Sequence, residues 1–564
     1  MTTGLSGTRE EERGEVRAEA AEARESALTG NSGPTSGSSS GAGARLSALL
    51  EGVTLAPSAG ASTAVAAGVE IRQLSCDSRK VAAGALFFAL HGAKADGNAF
   101  LKDAIAHGAV AIASEDAPPA WLPENIVWVQ VREARKALAI AAANFYGHPA
   151  SSLRMAAVTG TNGKTTTTSL IDAMVRASGA KTGLFGTIAY QTPRGEYPSP
   201  NTTPESLDLQ RFFAEIRDED GKFAVLEASS HALTMERLWG CHFAAAVFTN
   251  LTREHMDYHK TFEDYFAAKR RLFEGLGAGA PDVAIVNSDD AYARQLGGLA
   301  KQTITFGLDS AAAITTKKFQ LSFQGLTFVA QTPNGKVQVN SRLVGRINVY
   351  NILAAIGAAQ ALGITNTAIE SGLRDLESVS GRFQRIDEGQ PFLVIVDYAH
   401  TDDALENLIR TARELNSKGR VITLFGCGGE KDRTKRPVMG EVTGRLSDLT
   451  ILSSDNPRSE DPLKIISDII VGLQKTSGKY LIEPDREKAI GLAMDEARAG
   501  DIVLLAGKGH ENYQILAGGT LHFDDREVAR AALRARGYEA VADAATNRKP
   551  TNGERKNGEN EFGT

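Results

Sequence analysis

The sequence predicts an α/β protein built as three domains around mostly parallel sheets. Three observations predict it. The chain has 564 residues, more than one hydrophobic core usually supports, so a division into about three domains is expected. Short apolar runs alternate with longer amphipathic segments, the pattern of βα units. Seven of those runs end in a polar cluster, and open parallel sheets bind ligands beyond the carboxyl ends of their strands.

Taken in order, residues 155–159 lead into a glycine loop, 223–226 into EASSH (227–231) and 244–248 into the segment 250–255. Residues 393–396 lead into DYAH (397–400), 421–425 into GCGG (426–429), 450–452 into DNPR (455–458) and 503–506 into GKGHE (507–511). Such edges facing one another imply a site assembled from more than one domain. Residues 45–149 carry an α/β pattern without a phosphate loop, 150–380 carry the glycine loop, and 381–545 carry the last four junctions. Residues 1–44, which include the Gly/Ser-rich stretch 29–44, read as a disordered extension, and 546–564 as a flexible tail.

Composition excludes several classes. Hydrophobic residues make up 42% and charged residues 23%, as in ordinary globular domains. A net charge of −6 gives no electrostatic footprint for nucleic acid. No apolar stretch approaches the roughly 20 residues that span a bilayer, and residues 1–27 have no apolar core of a secretory signal. Cys76, Cys241 and Cys427 are far apart with no CxxC pair. They read as core residues in a reducing cytoplasm, not as a zinc site or disulfide framework; a monomer is expected separately.

The loop is Gly160, Thr161, Asn162, Gly163, Lys164, Thr165 and Thr166, followed by a helix whose apolar face is Leu170, Ile171, Met174 and Val175. Glycines let the backbone approach phosphate, amides and the helix N-terminus face the anion, and Lys164 adds positive charge. Thr165 is placed to coordinate Mg²⁺. Val158 stands where the general form of this loop has its first glycine, so the loop is a shortened one. No GxGxxG opens a βαβ unit here, which favours ATP over NAD. The bland alternative is a strand–turn–helix joint that happens to be rich in Gly and Thr.

Glu227 and His255 follow strand-like runs in the same block, and a carboxylate plus an imidazole suits a magnesium ion holding phosphates. A lone strand-end Glu such as Glu227 could instead be a surface residue. Lys269, in YFAAKRRLF (265–273), reads by itself as a solvated helix lysine. An ammonium about 4 Å from a cation would be repelled by roughly 4 kcal/mol per unit charge at an effective dielectric near 20. Lysine can therefore approach a metal site only if neutral or converted to an anion, as a carbamate.

The shortened loop, EASSH, NLTREHMDYH (250–259) and YFAAKRRLF, in that order, resemble the Mur ligase family. So do GRINVYN (345–351), GRF (381–383) and VDYAH (396–400), and the resemblance spans residues 45–540. DSR (77–79) and GALF (84–87) are similar to the uridine-binding first domain of the members that add the third amino acid of the cell-wall peptide. The resemblance implies an N-terminal uridine-binding domain (45–149), a central ATP-binding domain (150–380) and a Rossmann-like carboxyl domain for the incoming amino acid (381–545). It implies a ligase of peptidoglycan synthesis, and hence of cell shape and division, that uses ATP and Mg²⁺. ATP converts the D-glutamate side-chain carboxylate of UDP-N-acetylmuramoyl-L-alanyl-D-glutamate to an acyl phosphate, which an amine then attacks.

By the same resemblance, Gly160 to Thr166 with Asn348 and Arg382 hold ATP. Thr165, Glu227, His255 and carbamylated Lys269 serve the metal. Ser78, Ala93, Lys94, Ala95, Asn201, Thr202, Thr203, Ser229 and Arg237 hold the UDP-linked substrate. Lys164, Lys269, His255, Asp397 and His400 make up the catalytic set.

DNPR (455–458) resembles the signature of members that add meso-diaminopimelate instead of L-lysine. The two amino acids differ by a distal carboxylate, which the planar fork of Arg458 can hold bidentately. Asn456 can hydrogen-bond it, and Glu511 can accept from the distal ammonium; Lys431, Asp455, Pro457 and Gly507 complete the expected pocket. Asx-Pro sequences also initiate turns, and a simple turn is the bland alternative. Departures from the family pattern are Lys431 in place of arginine, Met235 in place of a polar contact and Asp402 in place of proline. Three rivals stay open: the same ligase with L-lysine, a folylpolyglutamate synthase-like ligase, and a P-loop ATPase switch without ligase activity.

Overall fold

The computed structural model describes residues 43–57, 68–92, 96–256, 258–416 and 418–539. Ala93, Lys94, Ala95, residues 1–42 and the tail 546–564 lie outside the described residues. The chain divides into two compact units between Ala134 and Arg135. The first carries a parallel sheet of four strands in the order Gln73–Ser75, Ala85–Phe88, Ala109–Ser114 and Val127–Gln130. Its Ala44 pairs with Ile71 in a short antiparallel ladder.

The second unit holds two larger sheets, completing the three-domain α/β architecture. In the eight-stranded sheet, six strands are parallel: Thr182–Phe185, Phe223–Glu227, Arg154–Thr159, Ala245–Phe248, Val283–Asn287 and Gln302–Phe306, in that spatial order. Tyr190–Thr192 and Gly195–Tyr197 extend one edge antiparallel. The six-stranded sheet runs Gln384–Ile386, Leu393–Asp397, Ile502–Ala506, Val421–Phe425, Leu449–Leu452 and Tyr480–Ile482, parallel except for its first strand. All seven apolar runs singled out in the sequence are strands. A three-stranded antiparallel sheet, Phe319–Ser322, Gly325–Thr332 and Gly335–Ser341, has no counterpart in the expectation.

Parallel strands covered on both faces read as continuous apolar runs, and Arg154–Thr159 shows why. Ala156 and Val158 pack with Leu170, Ile171, Met174 and Val175 of the helix Lys164–Ala177 and with the helix Arg346–Ala361. Met155 and Ala157 face the opposite side, with Phe212, Phe213, Phe248 and Tyr265. Successive side chains alternate between the two faces, so this strand is locked at the centre of its sheet.

Candidate active site

Strand order positions the site. Arg154–Thr159 lies between Phe223–Glu227 and Ala245–Phe248, so the loop that follows it opens between Glu227 on one side and Thr249 and Asn250 on the other. Gly160 and Gly163 have φ of 145° and 86°. A Cβ on Gly160 would come within 1.9 Å of Thr249 Oγ1, and one on Gly163 within 2.4 Å of Asn351 Oδ1. Conformation and space both require glycine there. Asn250 ties the loop down: its carbonyl accepts from the Thr161 amide at 2.9 Å and its Oδ1 from the Asn162 amide at 2.9 Å.

Residues 161–166 line one cavity of about 250 Å³, together with Thr187, Thr202, Glu227, Ser229, Glu254, His255, Lys269, Asn348, Arg382, Asp397 and His400. Lys164 Nζ donates to the carbonyls of Gly160 at 3.0 Å and Thr161 at 2.7 Å. Arg382 Nη2 donates to Thr165 Oγ1 at 3.2 Å while its guanidinium stacks 4.6 Å from the Tyr398 ring. Asn348 is buried; its amide nitrogen donates to Val344 O at 2.7 Å and its oxygen accepts from Asn351 at 2.9 Å. Asp397 accepts the Phe383 and Ala399 amides at 2.6 and 2.8 Å, and burial pushes its carboxyl up.

Glu227 accepts from the amide and hydroxyl of Thr187 at 2.8 and 3.1 Å. His255 has a left-handed φ of 57°. Burial, with the charges of Lys164 and Lys269 beside it, lowers its imidazole to about 4 against the pull of Glu254. Its neutral form, the one that ligates a metal, therefore prevails near neutral pH.

Lys269 departs from its reading as a solvated lysine. It is 1% exposed, and its Nζ donates to Gly160 O at 2.7 Å, 4.3 Å above the Tyr265 ring. Burial first, and then the positive charge of Lys164, lower its ammonium well below the ordinary lysine value. The helix Phe262–Glu274 buries Tyr265, Phe266, Lys269, Leu272 and Phe273 on one stripe, so the lysine sits where the helical period calls for an apolar residue.

On the side toward Glu227, Thr203 Oγ1 donates to Glu227 O at 2.6 Å and accepts from the Ser229 amide at 3.2 Å. Arg237 donates to Thr203 O at 2.9 Å and pairs with Glu205 at 2.8 Å. Thr202 accepts from Thr187 Oγ1 at 3.3 Å, and the exposed Asn201 accepts from Tyr190 through its carbonyl. These five residues form one connected patch. Met235, a departure noted in the sequence, receives a weak bond from Arg237 at 3.7 Å. In the first unit Ser78 is buried and opens a short 3₁₀ turn capped by Asp77. The Arg79 hydrogen bond holds the Asp77 carboxyl below its ordinary value.

A second cavity of about 250 Å³ is lined by Arg253, Glu254, His255, Tyr398, His400, Lys431, Asp455, Asn456, Arg458, Gly507 and Glu511 among others. The expected amino-acid pocket is thus brought together, apart from the buried Pro457, which does not line the cavity. Its carbonyl instead crowds Gly429, where an added Cβ would meet it at 1.9 Å. Arg458, at a left-handed φ of 55°, donates to Gly429 O at 2.8 Å. Glu254, His255, Tyr398 and His400 line both cavities.

Sequence reasoning passed over several residues here. Glu254 stands 3.3 Å from His400 Nε2 and 3.6 Å from His255 Nε2. Burial would raise its carboxyl, but the His400 hydrogen bond and the charges of His255, His400 and Lys164 hold it well below the usual range. Asp403 accepts from Asn162 Nδ2 at 2.7 Å and Thr252 Oγ1 at 3.3 Å, tying the helix Asp402–Leu415 to the phosphate loop. Arg486, fully buried with Asp525, donates to Ser454 O at 3.2 Å and Ala506 O at 3.0 Å, fastening two strand ends of the second cavity. Glu254 was visible as the acid preceding His255. Asp403 and Arg486 carried no local signal, because their partners are distant in sequence.

A glycine-, lysine- and threonine-bearing loop whose cavity shares Glu254, His255, Tyr398 and His400 with a second charged cavity is compatible with an ATP-dependent ligase. Comparison with known proteins makes the class specific. Family models described as the Mur ligase family catalytic domain, the Mur ligase middle domain and the Mur ligase glutamate ligase domain match residues 70–146, 158–359 and 381–509. The chain belongs to the Mur ligase family. A UDP-N-acetylmuramoyl-L-alanyl-D-glutamate--2,6-diaminopimelate ligase of Solibacter usitatus is 50% identical over 473 residues, covering 84% of this chain and 95% of the relative. An enzyme of the same name from Geobacillus kaustophilus is 46% identical, with 83% and 96% covered. A solved structure of a ligase with that name superposes with a TM-score of 0.59 at 34% identity, covering 83% of this chain and 96% of the other. The MurF ligase of Thermotoga maritima in complex with ADP, 18% identical with a TM-score of 0.58 and 82% and 98% covered, shares the fold. Among the described residues no helix is long and apolar enough to cross a membrane.

Proposed function

We propose that this ligase joins meso-diaminopimelate to the D-glutamate side-chain carboxylate of UDP-N-acetylmuramoyl-L-alanyl-D-glutamate, with ATP as co-substrate, in peptidoglycan precursor synthesis. The observation that carries the reading is the junction of the two cavities at Glu254, His255, Tyr398 and His400. An acyl donor activated on one side meets an amine delivered from the other.

The chemistry needs that meeting. A carboxylate is a poor electrophile until one oxygen becomes part of a leaving group. Transfer of the γ-phosphoryl group to the carboxylate oxygen releases ADP and forms an acyl phosphate. The free amine attacks the acyl carbon, and phosphate leaves from the tetrahedral intermediate as the amide forms and the amine loses a proton. Residues Gly160 to Thr166, Asn348 and Arg382 hold the nucleotide in this reading, and Lys164 neutralises charge on the transferring group. Asp397 and His400 line the ATP side of the cleft.

Thr165, Glu227 and His255 line one cavity and offer two oxygen donors and a neutral imidazole, a set that fits Mg²⁺ completed by water and phosphate oxygens. Bound there, Mg²⁺ supplies further charge neutralisation for phosphoryl transfer. The lowered Lys269 ammonium favours the free amine, the form that adds CO₂, and its carbamate would add an anionic ligand. Thr202, Ser229 and their partners Asn201, Thr203 and Arg237 hold the UDP-linked substrate, and Ser78 is a separate contact in the first unit. Lys431, Asp455, Asn456, Pro457, Arg458, Gly507 and Glu511 form the diaminopimelate pocket, in which Lys431 keeps positive charge without arginine's fork. The enzyme acts in the cytoplasm as a monomer.

Phosphate release and product mass, measured with ATP, Mg²⁺ and the UDP-linked dipeptide, test the reading. Turnover with meso-diaminopimelate well above that with L-lysine is expected. Equal or greater use of L-lysine would refute the acceptor, folate-stimulated turnover would point to folylpolyglutamate chemistry, and hydrolysis independent of any acceptor would point to an ATPase switch.

A further inference from the structure

Beneath the second cavity lies a charged side chain that does not line it. Lys508 is 0% exposed, and an ammonium so buried must spend its three donors on acceptors. Its Nζ donates to Tyr513 O, to Asn456 Oδ1 at 3.3 Å and to Glu511 Oε2 at 3.3 Å. Asn456 Oδ1 also accepts from the Ile515 amide at 3.0 Å, while its Nδ2 donates to Glu511 Oε2 at 2.9 Å.

The two ends of a carboxamide have opposite chemistry, and only the NH₂ end can hold a carboxylate. Turned over, the Asn456 amide would set its hydrogens against the Lys508 ammonium and the Ile515 N–H, neither of which can accept. Lys508 thereby fixes which end Asn456 turns toward Glu511 and the cavity. It also bears on Glu511: burial and the charge of Asp455 push that carboxyl up, and Lys508 opposes both.

We propose that Lys508 is the positioning residue that sets acceptor specificity, orienting the Asn456 amide as a donor to the distal carboxylate and anchoring Glu511 for the distal ammonium. This rests on the reading of the second cavity as the diaminopimelate pocket. Lys508 touches no substrate and acts through its two partners.

The test is steady-state kinetics of the full-length enzyme with K508M, an uncharged chain of similar length. The expected result is a rise in KM for meso-diaminopimelate of roughly ten- to a hundredfold. KM for ATP stays near wild type, and the preference for meso-diaminopimelate over L-lysine collapses. In an N456A background, K508M adds little further loss of preference, because the amide it orients is gone. Should K508M not fold, N456D provides the same test: the new carboxylate keeps an acceptor for Lys508 but offers no donor, so preference is lost in a folded protein. Unchanged preference in K508M or N456D would overturn the proposal, as would an equal rise in KM for ATP and for both amino acids, the mark of a merely structural role. A wild-type enzyme that shows no preference for meso-diaminopimelate would instead overturn the reading of the cavity, and the proposal with it.

Discussion

Replacing Lys269 with methionine separates its chemistry from its packing. Lys269 Nζ lies 2.7 Å and Lys164 Nζ 3.0 Å from the same Gly160 oxygen, so the two nitrogens are at most 5.7 Å apart. Two positive charges at that separation repel by about 3 kcal/mol at an effective dielectric near 20. A carbamate on Lys269 reverses the sign, a swing of about 6 kcal/mol at a similar distance, and turns a competitor of Lys164 into its partner. Methionine fills a similar volume and removes the buried amine, and Gly160 O keeps its bond from Lys164. The melting temperature of Lys269→Met is therefore expected to equal or exceed that of wild type. Turnover is expected to fall about a hundred- to a thousandfold, the usual loss when one preorganised electrostatic group is removed. Calorimetry and phosphate release measure the two effects on one preparation. In Lys269→Ala, added acetate or bicarbonate should restore part of the activity by supplying an anion to the vacated space. Turnover of Lys269→Met close to wild type would refute the reasoning, and so would loss of activity that merely tracks loss of folded protein.

Three other perturbations probe separate parts of the account. Arg458→Ala should weaken meso-diaminopimelate use by roughly 2–5 kcal/mol in kcat/KM, and near-wild-type diaminopimelate kinetics would refute its place in the pocket. Arg486→Met leaves Asp525 buried and uncompensated, so a loss of about 3–5 kcal/mol in denaturant unfolding is expected; Arg486→Met with Asp525→Leu should recover much of it. The pH dependence of stability should carry the signature of His255. Its folded pKa of about 4 lies below the unfolded value of about 6.5, so the unfolded chain binds the extra proton. That contribution is complete above about 6.5 and is lost as pH falls toward the folded value. The urea midpoint should accordingly decline across that window, and less steeply in His255→Asn; parallel declines would contradict the assignment.

Much of the fold was legible because parallel strands covered on both faces appear as uninterrupted apolar runs, and the polar residues after each run mark the carboxyl edge. The phosphate loop was legible for a similar local reason: glycines at left-handed φ, a lysine and threonines must occur together. Lys269 was legible only in part. It falls on the buried stripe of Tyr265, Phe266, Leu272 and Phe273, which argues against solvation, but nothing local shows that the stripe ends against Gly160. Lys508 lay inside a cluster that had been singled out, yet its burial depends on Tyr513 and Asn456 folding over it. Asp403, Arg486 and Asp525 act across tens to hundreds of residues, and no periodicity or motif encodes such contacts. The antiparallel sheet of residues 319–341 was missed because its strands alternate buried and exposed residues, unlike the continuous apolar runs by which the parallel strands were read.

The central claim is that ATP activates the substrate carboxylate in the cavity around Lys164. Tracing ¹⁸O from the D-glutamate side-chain carboxylate of the UDP-linked dipeptide tests it most directly. Formation of an acyl phosphate followed by attack of the amine on carbon must leave one carboxylate oxygen in each phosphate released, and mass spectrometry of that phosphate should find the label there. Unlabelled phosphate formed in step with the amide product would contradict the account.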